Sequence, residues 1–281
     1  MLITIDPKAR PCPGVERAIA LTEDGLRRGE QMFAAGHLIH NRREVERLEG
    51  LGLGQIQIES FQDRSQRKAM SGRHFILRAH GESEEIIQKA KFCGMKIIDA
   101  TCPIVRRSQE LVEQHVREGW RIIIVGDRTH PEVVGLAARA RENGTVVSTA
   151  ADAERLDVEN RSLLIAQTTV DPRLFSDMRR ILAGRLNGLK IADTICRFLR
   201  NRMSDLEIFA RSQDALIFVV GRNSSNGRLL FEVAHQINKN TLLVEGPDEL
   251  KQSFFKNGYR IGISGGASTP RWQLDEMRIF L

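Results

Sequence analysis

The sequence predicts an α/β protein built from three pseudo-repeated α/β units, residues 1–94, 95–188 and 189–281. Three observations carry that prediction. Short β-branched runs alternate with amphipathic helical patterns, as in parallel sheets whose strands are joined by crossover helices. Three of the four cysteines, Cys12, Cys102 and Cys196, lie 90 and 94 residues apart, each between a strand-like run and a helix opening. Polar turns then recur at matched distances after each cysteine.

The elements follow in order. Strand-like runs precede the cysteines: Met1-Leu2-Ile3-Thr4-Ile5-Asp6 in the first unit, Lys96-Ile97-Ile98-Asp99-Ala100-Thr101-Cys102 in the second, Lys190-Ile191-Ala192-Asp193-Thr194-Ile195-Cys196 in the third. The helices open as Cys12-Pro13-Gly14-Val15, Cys102-Pro103-Ile104-Val105 and Cys196-Arg197-Phe198-Leu199. Proline just inside a helix start costs nothing, because its missing N–H has no partner there anyway. A strand ending in glycine comes next, with Gly36, Gly126 and Gly221 placed 24, 24 and 25 residues after the cysteine. At 28 residues each unit has a polar turn that opens a second helix: His40-Asn41, His130-Pro131-Glu132 and Ser224-Ser225-Asn226. A third strand ends at His80-Gly81, at Gln167-Thr168-Thr169, and at Ser264-Gly265-Gly266-Ala267-Ser268, at offsets of 68, 66 and 68. Cys93, at the end of the helical run Glu84–Phe92, has no counterpart in the other units and reads as a core thiol.

Composition narrows the function. Hydrophobic residues make up 41% and charged residues 28% of 281, ordinary for a soluble globular chain. No apolar run approaches the ~18–20 residues that span a bilayer. The N-terminus lacks the basic flank and long apolar stretch of a secretory signal, so a cytoplasmic location is expected. The net charge of +6 favours anionic partners. With one Tyr and two Trp the chain lacks the stacking platforms of a single-strand binder, and no nucleic-acid motif is recognisable. There is no Cys-x-x-Cys pair, so any metal site gathers ligands from distant segments.

In parallel α/β sheets, polar residues just past the strand C-termini line the edge where ligands bind. If the units pack about a pseudo-threefold axis, Cys12, Cys102 and Cys196 converge there. His40, His80, His130, Glu132, Thr168, Ser224, Ser225, Asn226 and Ser268 then encircle them. Three thiolates without a fourth suit an iron–sulfur cluster with one iron open. Zinc on three cysteines, closed by His40 or His130, is the rival, and spacing does not separate the two. The polar ring fits an anion of phosphate size: Ser224-Ser225-Asn226 begins a helix, and Gly265-Gly266-Ala267-Ser268 before Thr269-Pro270 repeats the device. A closed pocket raises the pKa of Glu132, which makes it a candidate proton donor.

These residues together resemble the LytB family of 4-hydroxy-3-methylbut-2-enyl diphosphate reductases. The resemblance runs over essentially the whole chain through the three cysteines, His40-Asn41, Ala79-His80-Gly81, Asp99-Ala100-Thr101-Cys102-Pro103, His130-Pro131-Glu132, Gln167-Thr168-Thr169, Asn223-Ser224-Ser225-Asn226 and Gly266-Ala267-Ser268. It implies a trefoil-like α/β fold around a central [4Fe–4S] cluster held by Cys12, Cys102 and Cys196. It implies reductive removal of an allylic hydroxyl from a diphosphate substrate, giving isopentenyl and dimethylallyl diphosphates, with electrons from reduced ferredoxin or flavodoxin. By the same resemblance Glu132 supplies a proton and Thr168 orients the hydroxyl. His40, His80, His130, Ser224, Ser225, Asn226 and Ser268 hold the diphosphate. The chain departs from the family pattern at Pro13, Glu82, Leu199 and Met203, all in the lining on the substrate side. The alternatives are a divergent paralogue reducing another substrate, or a non-catalytic iron–sulfur or phosphate-binding protein.

Overall fold

A computed structural model describes residues 2–157, 161–250, 254 and 258–281. The strands in chain order are β1 (Leu2–Ile5), β2 (Met32–Ala34), β3 (Gly54–Gln55) and β4 (His74–Leu77). Then come β5 (Lys96–Asp99), β6 (Arg121–Val125), β7 (Gly144–Val147) and β8 (Ser162–Ala166). The last four are β9 (Lys190–Ile191), β10 (Ala215–Val219), β11 (Thr241–Val244) and β12 (Arg260–Gly265). The helices are α1 (Pro13–Arg27), α2 (Arg42–Gly50), α3 (Arg64–Met70), α4 (Glu84–Phe92), α5 (Pro103–Arg117) and α6 (Pro131–Ala140). They continue as α7 (Ala150–Arg155), α8 (Pro172–Ala183), α9 (Arg197–Arg211), α10 (Ser225–Ile237) and α11 (Arg271–Phe280).

The described strands form three four-stranded sheets, ordered β3-β2-β4-β5, β7-β6-β8-β9 and β1-β12-β10-β11. Every pairing is parallel. The α/β class read from the sequence is therefore the observed one. The sheets nonetheless cut across the sequence repeats. The strand before each cysteine is an edge strand on the sheet of the preceding repeat: β5 pairs with β4, β9 with β8, and β1 with β12. Parallel pairing brings the residues that follow both strands to one carboxyl edge, so each cysteine neighbours the loop after β4, β8 or β12.

The chain divides into two compact units, one of Met1–Ile19, Ile39–Leu51 and Arg197–Leu281, the other of Ala20–Leu38 and Gly52–Cys196. The second unit holds two of the sheets. In its β6–β8 layer alternate residues face opposite cores. Ile122, Ile124, Leu163 and Ile165 pack against Val112 of α5 and Val133 and Leu136 of α6. Ile123, Val125, Leu164 and Ala166 pack against Phe175, Met178 and Leu182 of α8. A parallel sheet covered on both faces needs such continuous apolar runs, which is why β6 and β8 read as unbroken aliphatic stretches. Its other sheet buries Phe75 and Leu77 with Phe61, Ala90 and Met95, and Cys93 lies in this core. In the first unit Ile217, Val219, Ile261 and Ile263 pack on Leu274 and Met277 of α11.

Helix starts carry the polar turns. Asn41 caps α2, accepting the Glu44 N–H at 3.0 Å. His130 caps α6 through Nδ1, which accepts the Glu132 N–H at 3.2 Å. Ser224 caps α10, accepting the Gly227 N–H at 3.1 Å. Among the described residues no helix is long and apolar enough to cross a membrane.

Candidate functional site

One hydrogen bond recurs at all three cysteines. The Cys12 N–H donates to the Ala267 carbonyl at 2.8 Å, Cys102 to Ala79 at 2.9 Å, and Cys196 to Thr168 at 2.9 Å. Each acceptor sits in the loop that follows the neighbouring parallel strand, so the contact is a direct product of the edge-strand pairing. None of the three is in a disulfide, all are half-buried, and each immediately precedes a helix. Burial pushes the Cys102 thiol up, partly offset by the Ile104 and Val105 N–H groups facing the sulfur; negative charge at Cys196 and Glu132 adds to the rise. Cys102 and Cys196 are thus close enough to interact. Cys93 is buried, and burial raises its thiol pKa as well.

The second unit gathers Cys102, Cys196, His80, His130, Glu132 and Thr168. Glu132 is buried, on the first turn of α6. One carboxylate oxygen accepts the Thr168 N–H at 2.7 Å and the other the Thr168 hydroxyl at 2.8 Å. Thr168 thereby joins Glu132 to the backbone of Cys196. Burial pushes the Glu132 carboxyl up to about 7, against the lowering effect of the two Thr168 bonds. The His130 ring stands edge-on to His80, centroids 6.1 Å apart. Because His130 Nδ1 accepts from the Glu132 N–H, a neutral His130 carries its proton on Nε2 and offers it as a donor. Gly81 has φ of +87°, and a Cβ there would lie 2.4 Å from the Gln109 side chain, so the His80 turn admits only glycine without strain.

The first unit gathers Cys12, His40, Ser224, Asn226 and Ser268. The Ser224 and Ser268 hydroxyls are 3.2 Å apart, and Ser268 donates to the His40 carbonyl at 3.2 Å. Asn226 accepts the Ala267 N–H on Oδ1 at 2.8 Å, which leaves its Nδ2 to donate. A Cβ on Gly221 would fall 2.8 Å from the His40 carbonyl oxygen, so the chain after β10 lies directly against the His40 turn. Ser225 is the first residue of α10 and half-buried. The loop before α11 differs from the expectation. Its N-cap position is Pro270, with no side-chain cap, and the Ala267 N–H is already taken by Asn226. The device of Ser224 is therefore not repeated at Ser268, whose hydroxyl is tied to His40 instead.

Of the four departures from the family pattern, Glu82 has a local partner. Glu82 is buried but paired with Arg78, four residues earlier in the loop after β4. Burial raises its carboxyl pKa and the Arg78 pairing opposes that rise. It lines a cavity of about 240 Å³ with Leu77, Asp99, Gln109 and Arg139. Leu199 is buried on α9 together with Leu206 and Ala210. Pro13 is exposed at the first position of α1, and Met203 is half-buried on α9.

Sequence reading assigned no positioning role to several groups. Gln167 is buried, accepts the Asp127 N–H at 3.0 Å and donates to Thr169 at 2.7 Å, which locks the loops after β6 and β8 together. Asn41 and Gln273 form a reciprocal buried amide pair, both bonds 2.9 Å, that fastens the His40 turn to α11. A separation of 232 residues left the Asn41–Gln273 pair no local signature. Among the described residues no three His, Cys, Asp or Glu side chains gather where a single metal ion could sit.

The family model described as LytB protein matches residues 3–281. A 4-hydroxy-3-methylbut-2-enyl diphosphate reductase of Bacteroides thetaiotaomicron is 35% identical, the match covering 98% of this chain and 96% of that protein. The reductase of the same name from Aquifex aeolicus is also 35% identical, over 98% and 94%. A solved structure of (E)-4-hydroxy-3-methyl-but-2-enyl diphosphate reductase superimposes with a TM-score of 0.74 at 34% identity, covering 100% of this chain and 99% of that one. The E-1-hydroxy-2-methyl-but-2-enyl-4-diphosphate reductase of Plasmodium falciparum gives 0.88 at 25% identity, over 100% and 87%. With a family model matched across almost every residue and relatives of this identity over their whole length, the chain belongs to the LytB protein family.

Proposed function

We propose that the protein is an iron–sulfur reductase that removes the allylic hydroxyl of 4-hydroxy-3-methylbut-2-enyl diphosphate. Two electrons and two protons enter, the C–O bond breaks, and water leaves with isopentenyl or dimethylallyl diphosphate. The observation that carries the reading is the repeated cysteine contact: three half-buried thiols, each fixed by its own N–H to a strand-end loop and each opening a helix. Family membership supplies the substrate class.

The donor set fits a [4Fe–4S] cluster on Cys12, Cys102 and Cys196. When bound, the cluster would deliver the electrons and offer an iron without a cysteine ligand to the substrate oxygen. We assign the diphosphate to His40, Ser224, Ser225, Asn226 and Ser268 with His80 and His130. These are hydroxyl, amide and imidazole donors without a carboxylate among them. Ser268 gives up its bond to the His40 carbonyl when it donates to a phosphate oxygen. Glu132, protonated near neutral pH, holds the proton that Thr168 hands on. With Glu132 Oε2 carrying hydrogen, the Thr168 hydroxyl accepts from it and turns its own hydrogen towards the departing oxygen. Reduced ferredoxin or flavodoxin is the proposed electron donor.

One anaerobic preparation tests the proposal. Iron and sulfide near four each per chain, with turnover of the diphosphate alcohol under a reductant, are expected. Zinc alone, or an intact cluster without turnover, overturns it; the second outcome favours a paralogue with another substrate. A smaller effect is expected at the anion end. Ser268→Ala removes one hydrogen bond to a charged group, worth about 1.5–3 kcal/mol. KM should therefore rise roughly tenfold to a hundredfold, with kcat and iron content close to the parent. A fall in kcat at unchanged KM would take Ser268 out of diphosphate binding.

A further inference from the structure

Each cysteine is preceded by an aspartate that makes the same turn. Oδ1 of Asp6 accepts the Lys8 N–H at 2.9 Å, that of Asp99 the Thr101 N–H at 2.9 Å, and that of Asp193 the Ile195 N–H at 3.1 Å. Such Asx turns bend the chain off the end of an extended strand. They stand at the ends of β1, β5 and β9, on the three approaches to Cys12, Cys102 and Cys196. The second carboxylate oxygen separates the three. Asp193 is exposed. Asp99 pairs with Arg106 in a partly exposed ion pair. Asp6 is 1% exposed and pairs with Arg202, itself 3% exposed.

The Asp6 arrangement is buried, and of its polar side-chain atoms Arg202 Nη1 alone lacks a hydrogen-bond partner. Arg202 Nη2 donates to Asp6 Oδ2 at 2.5 Å and to Ser264 Oγ at 2.6 Å, and the Ser264 hydroxyl donates to Asp6 Oδ2 at 2.9 Å. Arg202 lies on the buried face of α9 with Leu199 and Leu206. Ser264 lies on β12, which pairs with β1 and leads into Ala267, the acceptor of the Cys12 N–H. The buried pair therefore grips both strands just before their loops meet at Cys12. A fully buried ion pair adds little net stability over an apolar replacement, so stability alone is a poor reason for one here.

We propose that Asp6 and Arg202 are positioning residues for Cys12. Through the Asx turn and Ser264 they hold the Cys12 thiol at the place from which it binds its metal group. The proposal rests on reading Cys12 as a ligand, and its test separates the two claims. The full chain, isolated anaerobically, is compared with Asp6→Asn, Arg202→Met, the double variant and Ser264→Ala. Three measurements are made: the melting temperature, iron release to a chelator, and the alkylation rate of each cysteine in the metal-free chain, with Cys102 and Cys196 as internal references. Each single charge variant should melt lower, because a buried charge is left alone. The double variant should regain the parental melting temperature, because no charge remains buried unpaired. It should still release iron about 10–100-fold more readily, the cost typical of losing a group that orients a ligand. Of the three cysteines, Cys12 alone should alkylate faster. Ser264→Ala keeps the charges paired and should move Cys12 reactivity the same way by a smaller factor. Parental iron retention and parental Cys12 reactivity in the double variant, or no change at Cys12 in Ser264→Ala if the charge variants do not fold, overturns the proposal. A parental chain that binds no iron defeats the ligand reading, while Cys12 reactivity still decides the positioning.

Discussion

Cys102→Ser is expected to hold almost no iron and to lose dehydroxylation, while Cys93→Ala keeps both. The two thiols differ in setting rather than in type. Cys102 is half-buried at the start of α5, with the Ile104 and Val105 N–H groups facing its sulfur and its own N–H tied to Ala79 at 2.9 Å. Burial raises its thiol pKa and those N–H groups oppose the rise; the thiolate is the form that binds metal. Serine keeps the backbone bond and the helix start, so far-ultraviolet circular dichroism should not change. Its hydroxyl is a far weaker acid and a harder donor than a thiol, and it does not replace the iron–sulfur bond. Cys93 sits in an apolar core with Phe61, Phe75 and Met95. Burial raises its pKa as it does that of Cys102, but its neighbours are apolar side chains and its role is packing. Its truncation should lower the melting temperature slightly and leave iron per chain at the parental value. A full complement of iron and sulfide in Cys102→Ser would remove that residue from the ligand set and undo the threefold reading with it.

What the sequence discloses about this fold is the part governed by local rules. The aliphatic run Arg121–Val125 and the helix Glu84–Phe92 have the observed bounds, because burial on both faces and an amphipathic stripe each leave a periodic trace. Asn41, His130 and Ser224 were readable as helix openings because capping is a contact across three or four residues. The exchange of edge strands was not readable. β5 follows α4 in the sequence and looks like the first strand of the next repeat, yet its partner is β4. Which neighbour a strand selects depends on packing across the whole sheet. The same limit hides Arg202 beneath Asp6 and Gln273 beneath Asn41, pairs separated by 196 and 232 residues. Glu82 lies between these cases. As a departure from the family pattern it stands out, and its answering charge, Arg78, is four residues away. Ser268 shows the opposite error: a serine before Thr-Pro and a helix looks like a cap, but the loop turns it back onto His40.

Glu132→Gln is expected to lower turnover by about 10²–10⁴-fold, the range for removing a positioned general acid. Iron content and fold should be retained, since the amide oxygen still accepts the Thr168 N–H. The pH dependence makes the test specific. With the carboxyl at about 7, roughly half the molecules carry the proton at neutral pH. Below that value the protonated form dominates and turnover is level. Above it the rate should fall tenfold per pH unit, and this break should vanish in Glu132→Gln, leaving a low, flat profile. The substitution should have the opposite effect on stability. Glu132 has a folded pKa above its ordinary 4.5, so between about 4.5 and 7 the folded chain binds more protons than the unfolded one. Its contribution to stability is whole below 4.5 and is lost as pH rises through 7. At pH 8 the buried carboxylate therefore costs on the order of 3 kcal/mol, from a shift of two to three pKa units. The amide bears no such cost, so Glu132→Gln should melt higher than the parent at pH 8 and close to it at pH 5. A variant that is slower but more stable at alkaline pH is the mark of a carboxyl kept buried for its proton. An unchanged pH–rate break in Glu132→Gln would assign the proton to another group.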